Sequence, residues 1–181
     1  VPAPLGSAIC SPGAEGRSFL SLLPSPNAAW RPDFLVENRK SATAPQVPSY
    51  CVVRNATHSY VQYGTGEEEI YDMSADPGQL QNLARKLGLR KLLVTFRQRT
   101  RTLCNPPPPG MTLRSACLIT GSERANRLRG TTAYDYMCAK GGADRVEARS
   151  GEDLVYGGHG DDLVYGEGGH DRIYGGLGLD R

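Results

Sequence analysis

A chain of 181 residues has room for one or two domains and a modest core, and its net charge is only +2. The charge is uneven: residues 1–120 hold 13 Lys and Arg against 8 Asp and Glu, whereas residues 121–181 hold 8 against 11. No apolar run approaches the roughly 18 residues that a membrane-crossing helix needs, which excludes such a span.

Residues 1–48 are rich in Pro, Ser, Ala and Gly, with apolar islands at 16–23 and 30–37. Strands are expected at 34–37, 50–54, 59–63 and 69–73, the last two joined through a Gly64-Thr65-Gly66 turn. Asp76-Pro77-Gly78 stops the fourth strand. A helix follows over 89–103, with Leu89, Leu92, Leu93 and Phe96 at i, i+3, i+4 and i+7 as one apolar stripe. The expected core is Phe34, Val52, Val61, Ile70, Leu92, Leu93 and Phe96. Asn105-Pro106-Pro107-Pro108-Pro109-Gly110 ends the helix and forms a stiff linker.

From Gly121 to Arg181 the chain repeats every nine residues, with units starting at Gly121, Gly130, Ala139, Ala148, Gly157, Gly166 and Gly175. Position six is Asn126, Asp135, Asp144, Asp153, Asp162, Asp171 and Asp180. One nonapeptide cannot bury an apolar face by itself, so the units must stack as a solenoid. Positions seven to nine form a short strand whose middle residue points inward: Leu128, Met137, Val146, Val155, Val164 and Ile173. If each unit is half a coil, residues 18 apart stack. Asp144, Asp162 and Asp180 then line one edge, and Asp135, Asp153 and Asp171 the other. Turn glycines, among them Gly151, Gly158, Gly160, Gly169, Gly176 and Gly178, leave backbone carbonyls free to face an ion. Carboxylates plus carbonyls suit calcium, which takes six to eight oxygens at about 2.3–2.6 Å. Without an ion the stacked carboxylates repel, so folding and calcium binding are coupled. A solenoid that stacks without metal is the bland alternative.

The best unit, Gly157-Gly158-His159-Gly160-Asp161-Asp162-Leu163-Val164-Tyr165, resembles the repeats-in-toxin calcium-binding nonapeptide. That resemblance implies a right-handed parallel β-roll with calcium between turns, mostly found in proteins exported by bacteria. The units from Gly121 and Gly130 lack most turn glycines.

The middle segment resembles a second family. Tyr50-Cys51-Val52-Val53-Arg54, Tyr60-Val61-Gln62-Tyr63, Glu69-Ile70-Tyr71-Asp72-Met73, Asp76-Pro77 and Asn82-Leu83-Ala84 are similar, in order and spacing, to the C-terminal subdomain of the sulfatases. The likeness spans roughly residues 15–103 and implies a sheet beside the substrate cleft, with no catalytic residue of its own. The family's nucleophile comes from a Cys/Ser-x-Pro-x-Arg motif hundreds of residues earlier. Cys10-Ser11-Pro12-Gly13-Ala14 has Ala where that Arg must stand, so no catalytic residue is assigned.

Between Pro77 and Ser122 no acidic residue occurs, while Arg85, Lys86, Arg90, Lys91, Arg97, Arg99, Arg101 and Arg114 are all basic. Such a run is a solvated helix face or a docking strip for a polyanion. Nucleic acid is not expected, because no aromatic interleaving or recognised motif accompanies the charge. A sulfated polysaccharide fits better if the sulfatase resemblance holds.

Five cysteines with extracellular-type repeats favour at least one disulfide. Cys117 and Cys138, 21 residues apart and close to one coil, form the preferred pair; Cys104–Cys117 is the rival. Cys10 and Cys51 pair or stay free, and an odd total leaves one thiol over.

The expected architecture is a small antiparallel α+β sheet with a C-terminal helix, followed by an all-β parallel β-roll solenoid. Its divisions are 1–30, the tail of an upstream catalytic domain; 31–103, the sulfatase-like subdomain; 104–116, the linker; and 117–181, the calcium-binding roll. Starting at Val1 and stopping two residues short of a full repeat, the chain reads as a fragment of a longer, secreted polypeptide. Two function classes follow: the non-catalytic end of a secreted sulfatase, or a stand-alone extracellular calcium-binding structural protein.

Overall fold

The structure is a computed structural model that describes residues 33–38 and 48–181. Cys10 and the apolar island at 16–23 lie outside the described residues, as does the side chain of Phe34.

Four strands, β1 (Asp33–Asn38), β2 (Tyr50–Asn55), β3 (His58–Tyr63) and β4 (Glu68–Asp72), form an antiparallel sheet in chain order. Alternating β-branched and aromatic residues suit each strand to a pleated surface. A 3-10 turn (Leu87–Leu89) leads into α1 (Arg90–Leu103). The helix buries Leu93, Val94, Phe96, Arg97 and Thr100, while Leu89 and Leu92 are only partly covered.

The core between sheet and helix is Val53, Tyr60, Ile70, Leu83, Leu93 and Phe96, with the Tyr60 and Phe96 rings stacked at 5.8 Å. The expected placement of Val52 and Val61 here is therefore wrong. They pair with each other on the opposite face, while Val53 pairs with Tyr60 toward the helix. Both faces of β2 and β3 carry apolar residues, so alternation alone does not say which face the helix covers. Ile70→Ala is expected to lose about 2–5 kcal/mol, as for other core truncations. Val52→Ala should lose about 1 kcal/mol or less. Urea midpoints of the two variants check the assignment, and a larger loss at Val52 would reverse it.

Beyond the helix the chain winds into a parallel roll. One sheet has the order β11-β9-β7-β5, made of β5 (Ile119–Thr120), β7 (Tyr136–Gly141), β9 (Leu154–His159) and β11 (Arg172–Leu177). The other runs β10-β8-β6, from β6 (Arg127–Arg129), β8 (Arg145–Glu147) and β10 (Leu163–Tyr165). All pairs are parallel, and Met137 faces Val155, Val155 faces Ile173, and Leu128 faces Val146. The coil is thus 18 residues, two nonapeptides. Met137, Ala139, Val146, Ala148 and Val155 fill its interior, flanked by Ile119, Leu128 and Val164. Ile173 points inward too, but β11 is stacked on one side only and leaves it 44% exposed. Outside, the Tyr156 and Tyr174 rings stack at 4.8 Å.

Sheet, helix and roll belong to one compact unit, Pro32–Arg181. Cys117 is bonded to Cys138, tying the start of the roll to β7. Cys51 is bonded to Cys104, which ties β2 to the end of α1 and displaces the Cys104–Cys117 rival. On a chain-entropy argument the two crosslinks contribute about 3 and about 4 kcal/mol respectively.

Candidate metal centre

An 18-residue coil puts the position-six side chains in two stacked rows, and each row is held by the same hydrogen bond. The backbone N–H of Asn126 donates to Asp144 Oδ1 (2.7 Å), that of Asp144 to Asp162 (2.8 Å), and that of Asp162 to Asp180 (3.1 Å). On the other edge Asp135 donates to Asp153 (2.7 Å) and Asp153 to Asp171 (3.0 Å). Each carboxylate thereby spends one oxygen on the preceding coil. The second oxygen, Oδ2, of Asp144, Asp153 and Asp162 is buried and has no hydrogen-bond partner. A buried carboxylate oxygen without a donor is costly, and a cation relieves that cost.

The turns bring backbone carbonyl oxygens into the same space. Gly151, Gly158, Gly160, Gly169, Gly176 and Gly178 all have positive φ. At Gly158 (φ 113°) and Gly160 (φ 118°) a Cβ would run into the carbonyl oxygens of Lys140 and Gly142 in the coil before. Only glycine lets successive turns approach so closely without strain. A Cβ at Gly157 would strike both Asp162 Oδ2 and the Gly175 carbonyl oxygen, so carboxylate and carbonyl converge on one small space. This donor set, all oxygen and partly anionic, fits a hard cation.

Crowding perturbs the carboxylates. Burial, aided by the charges of Asp135 and Asp171, pushes the Asp153 carboxyl up to about 6. Burial and then the charge of Asp162 raise Asp144 in the same direction. A bound cation reverses this, since opposite charge favours the ionised form.

The first coil is built differently, in keeping with the turn glycines that its two units lack. Asn126 Oδ1 accepts from the N–H (2.6 Å) and hydroxyl (3.2 Å) of Ser122. Asp135 Oδ2 likewise accepts from the N–H (2.6 Å) and hydroxyl (3.0 Å) of Thr131, and Asp135 Oδ1 pairs with Arg90 at the start of α1. A second signal is position two, which is Ser or Thr in these two units only. In three later units the residue there, Lys140, Arg149 or Glu167, holds a positive φ in place of glycine.

Half of the basic run is paired with carboxylates within the chain. Arg90 pairs with Asp135, Lys91 with Glu152 (3.1 Å), Arg97 with Glu68 and Arg99 with Asp33. Residues of the sulfatase-like motifs hold turns: Asn82 Oδ1 accepts from Ile70 N (3.1 Å) and Ala84 N (2.9 Å), and Asp72 Oδ1 accepts from Ser74 N and Ala75 N. Among the described residues Glu37, Cys51 and Cys104 also have metal-ligand spacing, but the two sulfurs share a disulfide.

The family model described as RTX calcium-binding nonapeptide repeat (4 copies) matches residues 120–155, 139–173 and 149–181. Residues 120–181 are RTX calcium-binding repeats. The RTX segment is about a third of the chain. No curated protein matches the sequence. Among solved structures, that of BT4656 in complex with its substrate D-glucosamine-2-N,6-O-disulfate is similar, at 21% identity and a TM-score of 0.46. The match covers 55% of this chain and 22% of BT4656, so the chain spans about a fifth of that protein. No helix among the described residues is long and apolar enough to cross a membrane.

Proposed function

We propose that the chain is the calcium-set, non-catalytic end of a secreted sulfuric ester hydrolase whose reacting groups lie elsewhere in the polypeptide. The observation that carries the calcium part is the buried, unpartnered Oδ2 atoms on the two edges, at Asp144 and Asp162 on one and Asp153 on the other. These residues, with Asp171 and Asp180 and the carbonyls of Gly151, Gly158, Gly160, Gly169, Gly176 and Gly178, are the proposed ligands. When bound, calcium supplies charge neutralisation and crosslinks successive turns; the chain's own glycines and Asp N–H groups position the oxygens. The sulfatase part rests on the ordered motifs of 50–84, whose residues form β2 to β4 and the turns that close them. Secretion agrees with the two disulfides and with the millimolar calcium the repeats are built to meet.

A sulfated polysaccharide remains the proposed polyanionic partner, but through a narrower strip than the sequence implies. Ion pairs occupy Arg90, Lys91, Arg97 and Arg99, and the exposed cations of the run include Arg85, Lys86 and Arg101.

The purified chain is expected to show no aryl-sulfate hydrolysis above buffer background, because Cys10-Ser11-Pro12-Gly13-Ala14 lacks the motif's Arg and no nucleophile is assigned among the described residues. The encoding gene is expected to carry a Cys/Ser-x-Pro-x-Arg motif several hundred residues upstream. Turnover by the isolated chain that vanishes with Cys10→Ala would sink the assignment of a non-catalytic end. A gene without the upstream motif would leave the stand-alone calcium-binding structural protein in its place.

A further inference from the structure

Two adjacent cations, Arg90 and Lys91, begin α1 and reach the Asp135–Asp153–Asp171 edge of the roll. We propose that Arg90 is a fixed cation standing where calcium would otherwise be needed at Asp135. On this view the coil 121–138 folds without metal on the sheet–helix unit, and the calcium lattice starts at Asp144 and Asp153.

The carboxylates of that edge make the case. Asp135 is fully buried, yet both its oxygens are engaged: Oδ1 by the Arg90 guanidinium, Oδ2 by the N–H and hydroxyl of Thr131. Asp153, one coil on, is as buried but has Oδ2 without a partner. In later coils Oδ1 accepts the N–H of the position-six residue 18 places earlier. For Asp135 that place is Cys117, whose N–H instead donates to Ser115 Oγ (3.1 Å). Arg90 therefore fills the donor position that the coil stack leaves open at its start. A guanidinium suits the task, being always charged and able to donate in a fixed plane.

The surroundings reinforce the substitution. Lys91 Nζ lies 3.1 Å from Glu152 Oε2 and 5.7 Å from the centre of the Tyr134 ring, so the helix start meets two coils of this edge. The other edge of the first coil needs no cation, because position six is the neutral Asn126 and Ser122 closes its oxygen. The Cys117–Cys138 bond holds the same coil covalently. With no uncompensated carboxylate at position six, the first coil is a template on which the metal-dependent coils stack by nearest-neighbour contacts. Asp135, grouped with the calcium ligands on spacing alone, becomes an ion-pair residue. The calcium-dependent segment then begins beyond Cys138, inside the roll, and not at the proline linker.

Amide hydrogen exchange and calcium stoichiometry on the full chain test this. In excess EDTA the amides of Leu118, Gly121 and Thr131, bonded to Tyr136 O, Cys138 O and Asp135 Oδ2, should stay protected. Those of Gly160, Leu163 and Arg172 should exchange freely. Arg90→Ala should speed the first set by roughly 100-fold or more, the scale of stranding one partner of a buried ion pair. Asp135→Asn should leave the number of bound calcium ions unchanged by native mass spectrometry, whereas Asp153→Asn should lower it. The proposal is overturned if Asp135→Asn loses an ion, if Arg90→Ala leaves first-coil exchange unaltered, or if EDTA frees both amide sets alike. The last comparison uses the unmodified chain and decides even where a variant fails to fold.

Discussion

Asp162→Ala is expected to weaken calcium uptake by tenfold or more, about 1.4 kcal/mol, while Asn126→Ala leaves it nearly unchanged. Asp162 is almost fully buried, and its carboxylate serves two neighbours. Oδ1 accepts from Asp144 N–H, and Oδ2 lies with the Gly175 carbonyl beside Gly157. Truncation deletes a proposed ligand and strands the Asp144 donor. Asn126 offers an amide oxygen already engaged by Ser122, so its loss removes no calcium ligand. Wild-type affinity is expected at roughly 10⁻⁴–10⁻³ M, the range of extracellular modules. At a hundredfold excess over Kd each site then adds about 2.7 kcal/mol of stability. A calcium titration followed by circular dichroism reads both quantities. Equal losses from the two variants would refute the 18-residue ligand register, and a β signal indifferent to calcium would refute the lattice itself.

Arg97→Ala is expected to cost about 3–5 kcal/mol, because it leaves Glu68 buried without its counter-charge. Arg97 Nε donates to Glu68 Oε2 at 3.0 Å, and the Tyr60 hydroxyl donates to the same oxygen at 3.0 Å. Burial pushes the Glu68 carboxyl up, but the Arg97 bond and charge, with Tyr60, hold it below its ordinary value. Burial and then the Glu68 charge push the Tyr60 hydroxyl up, so it stays a donor. A carboxylate with a depressed folded-state pKa stabilises the fold above its unfolded value and loses that contribution as pH falls through the folded one. The wild-type sheet should therefore lose stability below about pH 4. In Arg97→Ala the depression disappears, and the acid transition should move to higher pH. Urea unfolding at neutral pH and along an acid series measures both effects. A cost under about 1 kcal/mol, typical of exposed pairs, would mean that the pair is solvated.

Much of this was legible in advance because it depends on local geometry. A period of nine with Asp at position six states the coil, its two edges and the inward residues, since side-chain direction follows from strand alternation. The turn glycines announced themselves for the same reason. The four strands and the helix were also readable, each within a residue or two. What could not be read was which face of an apolar-on-both-sides sheet the helix covers, so Val52 and Val61 were misplaced while Ile70, Leu93 and Phe96 were not.

Sequence by itself determined the solenoid, its period and its calcium chemistry, because a repeat converts local conformation directly into contacts between equivalent residues. Tertiary structure decided the rest. It paired Cys51 with Cys104 across 53 residues and engaged most of the basic helix in ion pairs. It also brought Arg90 onto Asp135 across 45 residues, giving one repeat carboxylate a partner that its eight neighbours in the nonapeptide do not reveal. Those pairings join parts of the chain that share no period. Their meeting is set by how helix, sheet and roll pack, and burial then makes each pairing strong.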